Sequence, residues 1–476
     1  MSDPVAPEFP PDLEWVNASA PVSLAELRGR VTLLWFWTYD NVNCWNQMAE
    51  LGRLEERFED GLTIVGVHSP KFPHQRAVEP VLRAVNRHRL RFAVASDADF
   101  RLWQRFGVTG WPTSVLLDAH GRIAATFAGE GHFEAFAERI GALLDEASAQ
   151  NLRVFGPSRP ALEPEPATVL SFPGGILATA ERLFIADSGH RRVLECTHDG
   201  TLIRAFGGGA AARNGSGVPA AFTDPQGLAL LGGFLYVSDR LGHALWRVDL
   251  ADGLVSLIAG GESAAAVNGS ADVRTSINAP YGLASDSEAL YVAMTGCHQV
   301  WRYTPGDGPP ATWSGSGKLG FADGPAAEAC FAQPAGIAVL DRELLVVDAA
   351  GSGLRSVSLA DGSVETLLGA GMFESGRVDG NRLEARMQNP LALAIDPRGV
   401  VFIADTFNDA VRIWNRRSQT LRTLPIDYRL DEPSALSLAE GALWIANRNR
   451  HEIVRFDLAD GTARRIAAGE LEPDGP

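Results

Sequence analysis

A five-residue phrase returns six times in the C-terminal two-thirds of the chain, and its spacing constrains the fold more than any other feature. It reads Pro173-Gly-Gly-Ile-Leu177, Pro225-Gln-Gly-Leu-Ala229, Pro280-Tyr-Gly-Leu-Ala284, Pro334-Ala-Gly-Ile-Ala338, Pro390-Leu-Ala-Leu-Ala394 and Pro433-Ser-Ala-Leu-Ser437. The proline-to-proline steps are 52, 55, 54, 56 and 43 residues, a period that suits propeller blades and not helical solenoids. A second apolar β-rich run follows each copy, as in Leu183-Phe-Ile-Ala-Asp187 and Val401-Phe-Ile-Ala-Asp405. A third strand is expected at Val193, Trp246, Val300, Leu354, Val411 and Ile453, and a fourth near Ile203, Leu257, Trp313, Thr366, Leu421 and Arg465. Four strands per unit and six units define a six-bladed β-propeller.

The unit resembles the NHL repeat, whose pattern is Pro-x-Gly-Ile-Ala followed by Tyr-Val-Ala-Asp-x-x-Asn-x-Arg-Ile. The aspartate is kept as Asp187, Asp239, Asp348 and Asp405 and replaced by Met294 and Asn447. A carboxylate at a strand end accepts backbone N–H bonds, so these residues are expected to staple loops. His243, His298 and His451 each lie four residues after that position; a metal reading is weighed against a motif role, and the motif role is preferred. Asn214-Gly215, Asn268-Gly269, Asp323-Gly324 and Asp379-Gly380 open excursions between blades, with tight-turn chemistry. These excursions are expected to share one face of the disc, which makes Asn214, Asp323 and Asp379 candidate binding residues. The strand near 167–171 or the one at 463–467 is expected to clasp the ring shut, because an open propeller leaves free edges.

The N-terminal third alternates strands and helices, the pattern of an α/β sheet covered by helices. Strands are expected at 31–37, 62–67, 92–95, 113–117 and 123–127, with the helix after Asn41 turning Met48, Leu51, Leu54 and Phe58 inward. The run Arg28-Gly29, Phe36-Trp-Thr-Tyr39 and Asn43-Cys44, followed downstream by Gly110-Trp-Pro-Thr113, resembles the thioredoxin-like domain of NHL-repeat-containing proteins. That resemblance implies a cis proline at Pro112 beside the redox helix, and a motif of the form Cys-Cys-x-Asn-Cys. Here Asp40 and Asn41 replace the two earlier cysteines, and Trp35 stands where the strand usually carries an acid. Dithiol exchange needs a nucleophilic thiolate, a resolving thiol and commonly a buried proton carrier. Asn41-Val-Asn-Cys44 supplies only one thiol, and Trp35 cannot accept a proton. Trp35 and Trp111 are expected to crowd the old redox site. Cys44 is read first as a partly buried helix residue, and second as a monothiol nucleophile sharpened by the helix N-terminus.

The 476 residues carry a net charge of −16, which argues against nucleic-acid binding through phosphate neutralisation. No basic and apolar leader precedes the first strand, and the longest apolar run, 31–37, is too short to cross a bilayer. Four cysteines, Cys44, Cys196, Cys297 and Cys330, show no pairing or metal-ligand spacing, which suits reduced thiols in a cytoplasmic protein. The domain plan is a disordered segment 1–12, a thioredoxin-like domain 13–149, a Pro-rich linker 150–166, an NHL propeller 167–470 and a tail 471–476. No cofactor is implied. The preferred function is an interaction protein for a protein or peptide partner, its thioredoxin-like domain docked on the propeller. The alternatives are a monothiol enzyme acting on a disulfide or peroxide through Cys44, with Asn41 and Pro112 shaping the site, and a propeller hydrolase or lyase.

Overall fold

A computed structural model describes residues 4–59, 61–154, 168–208, 222–261, 276–372 and 374–469. Its contacts divide the chain into two compact units, Met1–Pro166 and Ala167–Pro476.

The first unit is a six-stranded sheet in the order β1-β4-β3-β2-β5-β6. The strands are β1 Glu14–Val16, β2 Val31–Trp37, β3 Leu62–His68, β4 Ala93–Ser96, β5 Thr113–Leu117 and β6 Ile123–Ala128. They alternate with helices α1 Leu24–Leu27, α2 Val42–Arg57, α3 Val78–Arg87, α4 Arg101–Arg105 and α5 Phe133–Ala149. β2 runs parallel to β3 and antiparallel to β5, and every residue of β2 is buried. A strand covered on both faces reads as a continuous apolar run, which is why Val31–Trp37 lacks alternation. Leu34 and Phe36 face one layer with Leu102 and Val108, while Trp35 faces the other, its ring 4.8 Å from Trp37 and parallel to it.

The N-terminal segment departs from the expected disorder. Ala6 N–H donates to Gly121 O at 3.0 Å, Ile123 N–H donates to Pro4 O at 2.8 Å, and Val5 bridges Arg122. Ala6 and Phe9 are buried. The prolines hold this stretch extended beside β6, and its two apolar side chains anchor it.

The second unit is a ring of six antiparallel sheets at 173–207, 225–260, 280–314, 334–368, 380–423 and 433–466. The motif glycine has a steric reason. A Cβ on Gly175 would stand 1.8 Å from Gln226 O, on Gly227 2.2 Å from Tyr281 O, and on Gly282 2.3 Å from Ala335 O. The inner strands of neighbouring blades therefore approach to a distance that only a missing Cβ permits. Blades five and six use Ala392 and Ala435 at this position.

Of the two candidate segments, the one at 463–467 completes the last blade, and the chain just after it joins blade one, Gly469 N–H donating to Gly200 O at 2.9 Å. Residues 463–466 are the outer strand of blade six itself, and blade one completes its own four strands. Side chains add to closure between the two blades: Ser434 Oγ donates to Pro173 O at 2.8 Å, Ala178 N–H donates to Ser437 Oγ at 2.9 Å, and Phe172 N–H donates to His451 Nδ1 at 3.0 Å. One apolar cluster then runs through blades five, six and one.

Candidate functional site

Asn41 is the N-cap of α2, with φ −98° and ψ 122°. Its Oδ1 accepts the N–H of Asn43 at 2.9 Å and of Cys44 at 3.3 Å, which satisfies donors that a helix start otherwise leaves open. Asn41 thus works as a helix cap. Cys44, in the first turn, has no exposed surface. Burial pushes its thiol far above the ordinary range; the Thr38 backbone is the next influence and opposes it, and Asp40, Lys71 and Glu130 act by less, the two acids upward and the lysine downward. The sulfur is more deeply buried than the sequence reading expected.

Asp40, just before the cap, is buried in a polar network. Its Oδ1 accepts Gln75 Nε2 at 2.7 Å, and Lys71 Nζ lies 3.7 Å from Oδ2. Gln75 Oε1 accepts the N–H groups of Lys71 at 2.7 Å and Phe72 at 3.1 Å. The Thr38 hydroxyl lies 2.9 Å from Asp40 Oδ1 and 3.0 Å from Gln75 Oε1, with one proton to share between them. These bonds tie the end of β2 to the turn before α3.

Trp35 and Trp111 do not crowd one site. Trp35 is buried and donates its indole N–H to Gln47 Oε1 at 2.7 Å, with Phe92 edge-on at 6.0 Å. Trp111 packs on Trp103 at 4.7 Å, in the layer of α4 on the opposite face of β2. Alternation along β2 makes the separation: Trp35 points away from the face that Leu34 and Phe36 present. The Trp111–Pro112 peptide is cis, and Pro112 O accepts Gly129 N–H at 2.8 Å. The inward stripe of α2 runs through Cys44, Gln47, Leu51 and Leu54, not through Met48 and Phe58. Gln47 was missed, although a glutamine on the same helical stripe as Cys44 and Leu51 signals a buried partner. Glu130 was also missed: in the turn after β6, burial raises its carboxyl to about 7.

In the propeller, the strand-end aspartates act as staples. Asp187 accepts Ser171 N–H at 2.6 Å, Asp348 accepts Ala332 N–H at 2.7 Å, and Asp405 accepts Gln388 N–H at 2.7 Å. Asn447 does the same for Asp431 N–H at 2.7 Å. Two of the recurrent histidines, His243 and His451, have a second stapling role. All six residues at that position are left-handed: Arg191, His243, His298, Ser352, Asp409 and His451, with φ between 46° and 57°. His243 Nδ1, Ser352 Oγ and Asp409 Oδ1 accept the N–H of Ala279, Asn389 and Glu432 at 3.1, 3.2 and 2.7 Å, each the residue before the next blade's motif proline. His451 Nδ1 accepts Phe172 N–H, before Pro173, in the same way.

Asp323 and Asp379 are likewise engaged within the fold. Asp323 accepts Arg355 Nη2 at 2.9 Å and Thr366 Oγ at 2.7 Å, and Asp379 accepts Arg412 Nη2 at 2.6 Å and Thr423 Oγ at 2.9 Å. Gly380 and Asn381 pair with Leu421 and Thr420, and Gly324 bridges Val364. These two excursions therefore run along the outer edge of the following blade and cover it, in place of standing together on one face. Asn214 and the Asn268 turn lie outside the described residues.

These features define a class: a thioredoxin-like domain fused to a six-bladed NHL-repeat propeller. Residues 29–123 match the Thioredoxin-like family. The chain is 31% identical to NHL repeat-containing protein 2 of Gallus gallus over 96% of its own length and 70% of that protein. It is 31% identical to the Homo sapiens protein of the same name over 95% of its length and 70% of the relative. It is also 31% identical, over 98% of its length, to the Arabidopsis thaliana protein SUPPRESSOR OF QUENCHING 1, chloroplastic, of which it spans about half, 48%. The chain belongs to the NHL repeat-containing protein 2 family. Among the described residues, no helix is long and apolar enough to cross a membrane.

Proposed function

We propose that this chain is an interaction protein of the cytoplasm, in which a redox-degenerate thioredoxin-like domain is kept for its shape and the NHL propeller binds a protein or peptide partner. The observation that carries this reading is the state of Cys44: the sulfur has no exposed surface, its thiol is held protonated by burial, and the position three residues earlier is an asparagine whose side chain caps the helix. A thiolate that neither forms nor meets solvent cannot open a disulfide or reduce a peroxide. The four cysteines are all free thiols, which supports a reducing compartment.

The test is turnover. Native protein, supplied with a thioredoxin-reducing system, is expected to reduce insulin disulfides no faster than a Cys44→Ser variant. Cys44 in the native protein is expected to react with a maleimide slower than in urea, by on the order of a hundredfold or more. Insulin turnover above the Cys44→Ser control, or labelling of native Cys44 at the unfolded rate, overturns the reading.

A further inference from the structure

Helix α2 carries two stripes of different character. The first, Cys44, Gln47, Leu51 and Leu54, is buried in the domain. The second, Met48, Gly52, Glu55 and Glu59, recurs at steps that keep one face of a helix, and it forms a wall of a cleft of about 540 Å3, within the size range of ligand sites. Leu90 and Phe92 lie at the floor. The opposite wall is the turn between α3 and β4, with His88, Arg89 and Arg91. The cleft thus has an acidic side, to which Glu56 adds, and a basic side over an apolar floor.

The α2 wall breaks two local rules that the basic wall keeps. Gly52 stands in the interior of a 16-residue helix, where glycine is destabilising relative to alanine. No neighbour requires it, since a Cβ there would meet nothing within 4 Å. Glu55 and Glu56 lie in the last turn and Glu59 two residues past Arg57, at the helix end where the dipole favours cations. Arginines at the end of α3 follow that preference; glutamates at the end of α2 oppose it. Burial raises the Glu55 carboxyl, with the charge of Arg91 acting the other way. Among the described residues, none of Glu55, Glu56, Glu59 and Arg91 makes a side-chain hydrogen bond or ion pair. The two charged walls therefore face each other without touching. Departures from local preference gathered on one face mark a functional surface.

We propose that this cleft docks an extended peptide segment of a protein partner that carries a basic residue close to an acidic one. The basic head lies against Glu55, Glu56 and Glu59, the acidic head against Arg91, and the main chain crosses α2 over Gly52 beside Met48. A ligand of one sign would leave the other wall unmatched, whereas a segment with both signs complements both. The missing side chain at Gly52 lets a second backbone approach the helix closely. The site involves neither the thiol nor the propeller, so its test is independent of the insulin assay.

The probe is the amide of N-acetyl-Arg-Ala-Glu, titrated at low salt into the full chain with isotope-labelled methionine methyl groups; the amide of N-acetyl-Gln-Ala-Gln is the neutral control. The Met48 methyl signal, assigned by its loss in Met48→Leu, is expected to shift saturably with a midpoint at millimolar concentration or below. The neutral peptide is expected to bind about tenfold more weakly or worse. Glu55→Gln and Arg91→Gln are each expected to weaken the probe by about two- to fivefold. Gly52→Leu fills the space over α2, so it is expected to raise the melting temperature, leucine being the better helix former, while weakening the probe by about tenfold or more. Stability and binding that move in opposite directions separate a docking role from a packing role. The absence of a saturable shift overturns the proposal, as does equal binding of the neutral peptide or unchanged binding in a folded Gly52→Leu variant. Glu55→Gln and Arg91→Gln decide the matter if Gly52→Leu does not fold, and unchanged binding in both overturns it.

Discussion

Replacing His243 by asparagine is expected to uncouple the propeller from mild acid. His243 sits between blades two and three at φ 46°, 7% exposed, with Nδ1 accepting Ala279 N–H at 3.1 Å. That bond requires an unprotonated Nδ1, and burial lowers the ring's pKa to about 4. The folded value lies below the ordinary 6.5, so the unfolded chain takes up the proton first. Stability from the neutral ring is therefore complete above pH 6.5 and lost as pH falls toward 4. At about 1.36 kcal/mol per pH unit, the loss between pH 6.5 and 4.5 is about 2–3 kcal/mol. Asparagine tolerates the left-handed region and offers an amide oxygen in the manner of Asp409. His243→Asn is thus expected within about 1 kcal/mol of the parent at pH 7.5, and to gain about 2–3 kcal/mol on it by pH 4.5. His243→Ala, which strands the Ala279 N–H, is expected to lose about 1–3 kcal/mol at pH 7.5. Urea unfolding of parent and variants at pH 7.5, 6.0 and 4.5 measures this, and His68 of the first unit, its ring held neutral by burial down to about 3, contributes equally to all and cancels. Parallel pH profiles for parent and His243→Asn would refute the argument.

Arg412→Met is expected to cost about 3–5 kcal/mol in urea unfolding, because it leaves Asp405 buried without the guanidinium 2.6 Å away. Asp379→Asn, which touches the same guanidinium from a half-exposed position, is expected to cost about 1 kcal/mol or less; a larger loss than for Arg412→Met would contradict this ranking. Gly227→Ala, whose Cβ would stand 2.2 Å from Tyr281 O, is expected to lower the melting temperature through a loss of about 1–3 kcal/mol. Gly52→Ala, in open space on α2, is expected to raise stability by about 0.5–1 kcal/mol, and an equal effect of the two substitutions would remove the steric account of the motif glycine.

The propeller was legible because its determinants are local and repeated: the proline, the glycine beside a neighbouring backbone, and the strand-end aspartate recur in register. The side-chain part of ring closure was not, because it depends on Ser434, Ser437 and His451 meeting residues more than 250 positions away, and no local pattern encodes that pairing. The excursions were misplaced for a related reason. An Asp-Gly pair announces a turn, but whether the turn stands on a face or lies along an edge depends on the arginine it meets, and Arg355 and Arg412 belong to the third strand of the next blade. In the first unit five strand positions followed from alternation of elements, while β1, a three-residue edge strand, carries too short a pattern to read. The N-terminal segment was read from its prolines alone, and the two apolar residues that bury it, Ala6 and Phe9, carried the opposite signal.

In the thioredoxin-like domain the start of α2 is capped by a side chain and its cysteine is buried. An uncapped helix start favours a thiolate by aiming unpaired N–H groups and the positive end of the helix dipole at the sulfur. Here the Asn41 oxygen takes the N–H groups of Asn43 and Cys44. Asp40 adds a carboxylate whose partners, Gln75 and Lys71, hold it in the protein interior. Trp35 meets Gln47 with an indole donor, so the polar atom that α2 turns into the core is matched by a group that carries no titratable proton. Asn41 and Trp35 fix geometry through neutral hydrogen bonds, while Asp40 keeps a carboxyl group within a polar network. Thiol chemistry needs the N–H groups free and the sulfur reachable; around Cys44 two of those N–H groups are bonded and the sulfur is buried.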